Sequence, residues 1–156
     1  MYLWKAKKEY FLILFIVFFC VFGDAVHPFP PPIPLEERAG DADIVLIGNI
    51  VRVTARKHAV QNRIITLRIR VTETLKGRPS APEFSLTFLI FPRTEESHLV
   101  APPQRGPHII FLTRKKVRDS RGRIGETIVL YEPRVYALVR ATEENLRRIR
   151  LIFHKN

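Results

Sequence analysis

The chain has 156 residues, and its 26 Lys and Arg against 15 Asp and Glu give a formal net charge of +11. Its single cysteine, Cys20, lies in an apolar N-terminal stretch. The rest of the chain can therefore form no internal disulfide, thiolate metal site or thiol nucleophile. The positive charge favours anionic partners, although it also serves solubility.

The N-terminus has the layout of an export signal. Three lysines precede a wholly apolar run at residues 10–22, and Gly23 and Ala25 supply small residues for cleavage. The run is shorter than the roughly 20 apolar residues that a membrane-spanning helix needs. We expect residues 1–25 to be a cleaved signal peptide and the protein to be exported, to the periplasm or beyond the cell. An uncleaved membrane anchor is the alternative.

Residues 26–38 predict a proline-rich spacer. Proline fixes φ and removes backbone donors, so five prolines between residues 28 and 34 favour an extended, polyproline-like segment. Residues 35–39 predict one helical turn, which Gly40 would end.

The next part of the chain predicts three strands. Residues 43–55 are rich in Ile and Val with Gly48 in the middle, which indicates a strand with a bend or bulge. Residues 65–72 alternate apolar with polar side chains, the period of a half-buried antiparallel strand. A similar pattern returns at residues 84–91 after a break at Gly77.

The second half begins with a long loop. Residues 92–107 contain four prolines, and loops of this length tend to be functional or mobile. Strands at residues 109–113 and 128–131 flank a predicted turn at residues 119–122. Residues 134–139 predict a short edge strand.

A C-terminal helix completes the predicted domain. Thr142 is a good N-cap, two glutamates come after it, and Leu146 and Ile149 begin an apolar stripe. Residues 39–156 therefore indicate a mainly β domain. The most economical version is a small five-stranded OB-like (oligonucleotide/oligosaccharide-binding) barrel with a C-terminal α-helix, and a β-sandwich is the competing architecture.

Three short segments point to a known superfamily. They read ADIVLIGNI at residues 42–50, VTETLKG at residues 71–77 and GPHIIFL at residues 106–112. Together they resemble the barrel of the tissue-inhibitor-of-metalloproteinases and netrin-module superfamily, especially its bacterial exported relatives, over roughly residues 39–112. The resemblance implies an OB-type barrel. The inhibitors of that superfamily place an N-terminal cysteine on the target's zinc, and without that cysteine neither the mechanism nor any binding residue carries over.

The densest charge surrounds the predicted hairpin turn. Six of the ten residues from 114 to 123 are basic, and such a tip suits phosphates or sulfates. The candidate binding residues are Arg114, Lys115, Lys116, Arg118, Arg121 and Arg123. The competing interpretation is a charged hairpin that resists edge-to-edge aggregation.

Other kinds of site find weaker support. Arg52, Arg68 and Arg70 would form a basic face, but an exported protein meets little nucleic acid, which disfavours that partner. The histidines lack the spacing of zinc sites, and the serines lack a nucleophile-elbow context. No metal, cofactor or catalytic residue is expected.

The sequence thus predicts an exported, non-enzymatic binding module. Its basic hairpin and the 92–107 loop would contact a protein or an anionic envelope component such as lipopolysaccharide, phospholipid or an acidic glycan. The alternative is an enzyme inhibitor or assembly partner that binds through apolar loop contacts at Leu99, Val100 and Pro102. The sequence leaves the oligomeric state open.

Overall fold

The computed structural model describes residues 32–58, 62–90, 99, 101–118 and 120–154. The predicted signal peptide and residues 26–31 of the proline-rich spacer lie outside the described residues. Within them the protein is mainly β, with two α-helices and one antiparallel sheet of six strands. The elements in chain order are α1 (Leu35–Asp41), β1 (Ile44–Lys57), β2 (Arg63–Lys76), β3 (Glu83–Ile90), β4 (Gly106–Arg118), β5 (Ile124–Leu130), a 3₁₀ turn (Arg134–Tyr136), β6 (Leu138–Arg140) and α2 (Glu143–His154).

Strand β1 is the centre of the sheet. It pairs with β2 along nearly its whole length and with β4 through residues 44–50, which gives the strand order β3-β2-β1-β4-β5. Its register with β2 shifts at three places, one of them between Ile47 and Gly48. This irregularity lies where the sequence predicted a bend or bulge, at Gly48.

The described sheet has six strands rather than the predicted five. The predicted edge at residues 134–139 divides into the 3₁₀ turn and the three-residue strand β6, which pairs with β4 through residues 108–110. In the described part of the chain the hydrogen-bonded path ends at β3 on one side and at β5 on the other. The backbone hydrogen bonds between the described strands therefore do not close the sheet into a barrel.

Strand β4 begins earlier and ends later than its predicted span of residues 109–113. Gly106 and Pro107 already pair with β1, so the loop predicted over residues 92–107 ends before Gly106. The second half of β4 runs through the basic segment and pairs with β5 up to Arg118. The turn predicted at residues 119–122 is confirmed over its described residues, 120–122, with Gly122 at φ 79°.

Helix α1 does not stop at Gly40 as predicted but continues to Asp41. Lys76, the last residue of β2, donates from Nζ to the carbonyl oxygens of Ala39 and Gly40 at 3.2 and 2.6 Å. A cation that binds the last carbonyls of a helix also interacts favourably with its dipole. A lysine from a neighbouring strand therefore does the capping that the sequence assigned to glycine.

The core lies around the middle of β1 and β4. Residues 44–47 and 109–112 are at most 6% exposed, so both faces of these strands are covered. Helix α1 covers one face: the guanidinium of Arg38 lies 5.5 Å from the centre of the Phe111 ring and 5.7 Å from that of Tyr136. Arg38 also donates to the Tyr136 carbonyl at 3.1 Å.

The predicted C-terminal helix is confirmed as α2. The Asn145 backbone N–H donates to Thr142 Oγ1 at 3.3 Å, so Thr142 caps the helix as expected. Ile149 is fully buried, and Leu146 is half-buried against the same core. One apolar stripe therefore fixes the helix on the domain.

The three segments that carry the family resemblance meet at Asp43. The Asp43 N–H donates to the Leu112 carbonyl at 3.0 Å, and its Oδ2 accepts the Arg114 N–H at 2.7 Å. Gly77 adopts φ 69° beside it, where a Cβ would lie 2.4 Å from the Asp43 carbonyl oxygen. The hydrogen bonds and close packing at this junction account for the aspartate at position 43 and the glycine at position 77.

Candidate functional site

The basic hairpin projects from the sheet as a two-stranded ribbon. Its ladder runs from the Arg114–Ile128 pair to the Arg118–Ile124 pair, whereas β1 pairs with β4 only as far as Leu112. Every described residue from 114 to 127 is exposed, and no third strand pairs with them in the described part of the chain. We call residues 114–127 the basic arm.

Side chains alternate between the two faces of the basic arm. Residues opposite each other in an antiparallel ladder share a face, so Lys116 and Arg118 lie on the same face as Ile124, which is opposite Arg118. Lys115 and Val117 lie on the other face. The predicted binding residues are therefore divided: Arg114, Lys116 and Arg118 share one face, Lys115 lies on the other, and Arg121 and Arg123 belong to the turn.

The cations of the arm differ in how far the chain already compensates them. Arg114 donates to Glu126 at 3.2 Å and to the Arg78 carbonyl at 3.3 Å. The turn residues Arg121 and Arg123 also have contacts within the chain. Among the described cations of the arm, those whose side chains have no hydrogen bond or ion pair are Lys115, Lys116 and Arg118. The charged ends of these three side chains are therefore available to a partner.

Two exposed aliphatic side chains accompany these cations. Val117 is 49% exposed and Ile124 is 67% exposed, and Ile124 is the most exposed large apolar side chain in the described residues. Sequence reasoning missed both because it ended β4 at residue 113 and interpreted the basic segment after it as a charged turn. The register of β4 with β5 reveals them. Ile124 is opposite Arg118, beyond the part of β4 that packs in the core, so its side chain faces water.

A second polar surface lies on one face of β1, β2 and β3. A shallow depression of about 660 Å³ is lined there by Arg52, Thr54, Thr66, Arg68, Glu83, Phe84 and Ser85. Glu83 accepts hydrogen bonds from Nε of Arg68 and, at 3.2 Å, from Nε of Arg70. The bond from Arg70 holds the pKa of Glu83 below its usual range, and the bond from Arg68 adds to this effect. The predicted basic face is thus partly neutralised.

The described end of the predicted 92–107 loop, at residues 101–105, lies far from the basic arm. These residues join β4 at Gly106 and the arm lies at its other end, and the two ends of β4 are roughly 40 Å apart at about 3.3 Å per residue. Leu99 is half-buried and packs against the core, and Pro102 is half-buried. Val100 lies outside the described residues. Leu99 is therefore occupied within the domain rather than presented to a partner.

His108 is a buried side chain of the core, 4% exposed. Its Nδ1–H donates to the Gly106 carbonyl at 3.0 Å. Burial lowers the pKa of His108; the bond to Gly106 opposes this, and nearby Arg140 adds to the lowering. The ring is therefore held neutral and has a structural role.

The described residues contain no group of three or more His, Cys, Asp and Glu side chains placed to hold a metal ion. No helix in this part of the chain is long and apolar enough to cross a membrane. The sequence matches no protein-family model and no curated protein.

Proposed function

We propose that the protein is an exported, non-enzymatic binding module that uses its basic arm to contact an anionic component of the cell envelope or an acidic protein surface. The N-terminal basic and apolar segments support export. The observation that carries the binding function is a ribbon exposed on both faces, with the uncompensated cations Lys115, Lys116 and Arg118.

The arm is difficult to explain by the needs of the fold. An isolated two-stranded ribbon is at best marginally stable in water, and the described residues from 114 to 127 bury nothing in the core. Neighbouring cations also repel one another unless an anion lies between them. A partner that supplies anions would stabilise the arm and bind to it for the same reason. The apolar loop alternative has less support, because Leu99 already packs against the core.

The fold supports a further part of the proposal, an OB-type barrel of the superfamily that the sequence resembles. The strand order β3-β2-β1-β4-β5 is that of such a barrel when β3 and β5 approach each other. Arg134, shortly after β5, donates from Nη1 to the Leu89 carbonyl of β3 at 2.7 Å. The junction at Asp43, where all three resembling segments meet, supports the same assignment.

The binding function is tested by titrating the purified protein with heparin at several salt concentrations. The arm variant carries Lys115→Gln, Lys116→Gln and Arg118→Gln. The matched control carries Arg56→Gln, Lys57→Gln and Arg63→Gln, which remove the same charge from exposed positions at the opposite end of the sheet. Each cation that contacts a polyanion releases about one counterion, so the arm variant should lower the slope of log affinity against log salt by roughly two to three.

The control separates arm binding from general attraction. The control variant should keep most of the affinity and salt slope of the wild type. Equal losses in the two variants would reduce the effect to net charge and overturn the role of the arm. Absence of heparin binding by the wild type would overturn the anion-binding proposal altogether.

A further inference from the structure

We infer that one face of the basic arm, formed by Lys116, Arg118 and Ile124, docks on the surface of an anionic phospholipid bilayer. This inference rests on the proposed function and names its partner. We call these three side chains the Ile124 face. It combines two uncompensated cations with the most exposed large apolar side chain in the described residues.

The arrangement of the three side chains suits a lipid headgroup layer. Ile124 and Arg118 are opposite each other in the ladder, with Cβ atoms about 5 Å apart, and Lys116 is the next residue along on the same face. Long basic side chains keep their charged ends at the phosphates while their stems and apolar neighbours reach the acyl boundary. A ribbon lying flat on the surface would place all three groups at the depths they prefer.

The aliphatic side chain is what distinguishes a bilayer from other polyanions. An acidic glycan offers negative charge but no apolar layer in which the 67% exposed Ile124 could be buried. Anionic phospholipids offer both within a few ångströms. Nucleic acid also has a charged backbone, but its apolar surfaces are stacked bases that a single isoleucine reaches only by prying them apart.

The acidic residue on the same face does not oppose this docking. Glu126 accepts a hydrogen bond from Arg114 at 3.2 Å, so the two charges largely cancel. Glu126 is opposite Lys116 in the ladder, whereas Arg118, at the outer end of the ladder, is opposite Ile124. The outer part of the Ile124 face therefore meets the membrane with net positive charge.

The arm provides its own matched controls, since consecutive residues point to opposite faces. Ile124→Ser removes the aliphatic side chain from the docking face, and Val117→Ser removes one from the other face at a nearby position. Lys116→Gln and, at the opposite end of the sheet, Lys57→Gln form the corresponding pair of charge variants. All four positions are exposed, so the domain should remain folded, which thermal unfolding by circular dichroism verifies.

Binding is measured by co-sedimentation with phosphatidylcholine vesicles that contain or lack phosphatidylglycerol. The wild type should bind only the anionic vesicles. Ile124→Ser should weaken this binding about ten-fold, and Lys116→Gln about five-fold. Val117→Ser and Lys57→Gln should each change it by less than about two-fold, since Val117 faces away from the lipid and Lys57 lies outside the arm. Heparin affinity should be unchanged in Ile124→Ser, because the cations remain.

The outcomes separate this inference from the proposed function. Heparin binding without vesicle binding, or vesicle binding unaffected by Ile124→Ser, would overturn the bilayer while leaving an anion-binding arm. Equal losses in the two members of either pair would overturn the assignment to this face. A duplex DNA probe bound more tightly than vesicles, with the same loss in Ile124→Ser, would replace the bilayer with nucleic acid. Failure to bind heparin, vesicles and DNA would remove both proposals.

Discussion

Replacing Gly77 with alanine tests the junction that joins β1, β2 and β4. Gly77 adopts φ 69°, and a Cβ there would lie 2.4 Å from the Asp43 carbonyl oxygen and 3.0 Å from Cγ1 of Ile44. A carbon atom cannot approach a carbonyl oxygen that closely, so the backbone at Asp43 must move. The movement would weaken the hydrogen bonds of 3.0 and 2.7 Å that join Asp43 to β4.

Two costs combine in the Gly77→Ala variant. A left-handed backbone costs a non-glycine residue about 1–2 kcal/mol. Forcing an added carbon into well-packed space costs a further 1–3 kcal/mol or so. We expect the free energy of unfolding to fall by about 3 kcal/mol or more, a large share of the roughly 5–15 kcal/mol that stabilises a typical domain.

Gly122, in the turn of the basic arm, is the matched control. It adopts φ 79°, but a Cβ there would have nothing within 4 Å. Gly122→Ala therefore carries the backbone cost alone, about 1–2 kcal/mol. Urea unfolding followed by circular dichroism measures both variants. Equal losses would mean that the close contact at Asp43 does not exist.

Two more stability changes are expected from groups in the core. Burial lowers the pKa of His108, so as the pH falls below about 6.5 this histidine is protonated in the unfolded chain before it is protonated in the folded protein. The free energy of unfolding therefore falls in this range by up to about 1.4 kcal/mol per pH unit. Urea unfolding between about pH 7.5 and pH 5 should show a smaller loss for His108→Gln, and an identical loss would contradict a neutral ring. Arg38→Ala removes the contacts with Phe111 and Tyr136 and should cost about 2 kcal/mol. Arg38→Lys keeps the positive charge and should therefore lose less stability than Arg38→Ala. Thermal unfolding measures both variants. Equal losses would mean that the stability comes from the hydrogen bond and packing of the guanidinium rather than from its charge.

The elements that the sequence predicts well are those whose signal is local. Ile65, Leu67 and Ile69 alternate with polar residues, and all three are fully buried on one side of β2. Thr142 caps α2 because the capping hydrogen bond needs only a side-chain oxygen three residues before its donor. Such patterns depend on a few neighbouring residues and no distant partner, so they can be read from the chain alone.

The length of β4 could not be read in this way. Its last residues, 114–118, have water on both faces, so no apolar period marks them as strand. Hydrogen bonds to β5 hold them in strand conformation. Those hydrogen bonds depend on how the two strands are aligned, which the amino-acid composition does not show. At the other end, Gly106 and Pro107 are typical loop residues, yet pairing with β1 places them in the sheet.

The charge of the candidate site was also only partly predictable. Counting residues finds six cations in the basic segment, but it cannot show that Arg114 is compensated by Glu126. In the same way Glu83 lies 13 and 15 positions from the two arginines it binds, Arg70 and Arg68, and only the pairing of β2 with β3 brings them together. Which cations remain available depends on register, which the sequence specifies only through the whole fold.

The direction of the basic arm is set at the point where β4 leaves the core. Residues 109–112 are completely buried, whereas residues 114–118 are exposed. At the boundary the Asp43 side chain takes the place of β1 and accepts the Arg114 N–H at 2.7 Å, which prolongs the ladder by one hydrogen bond. The arm is thus held by the core at its base and contributes nothing to the core along its length. Its side chains can therefore change to suit a partner without loss of the fold, which is what a contact surface requires of its scaffold.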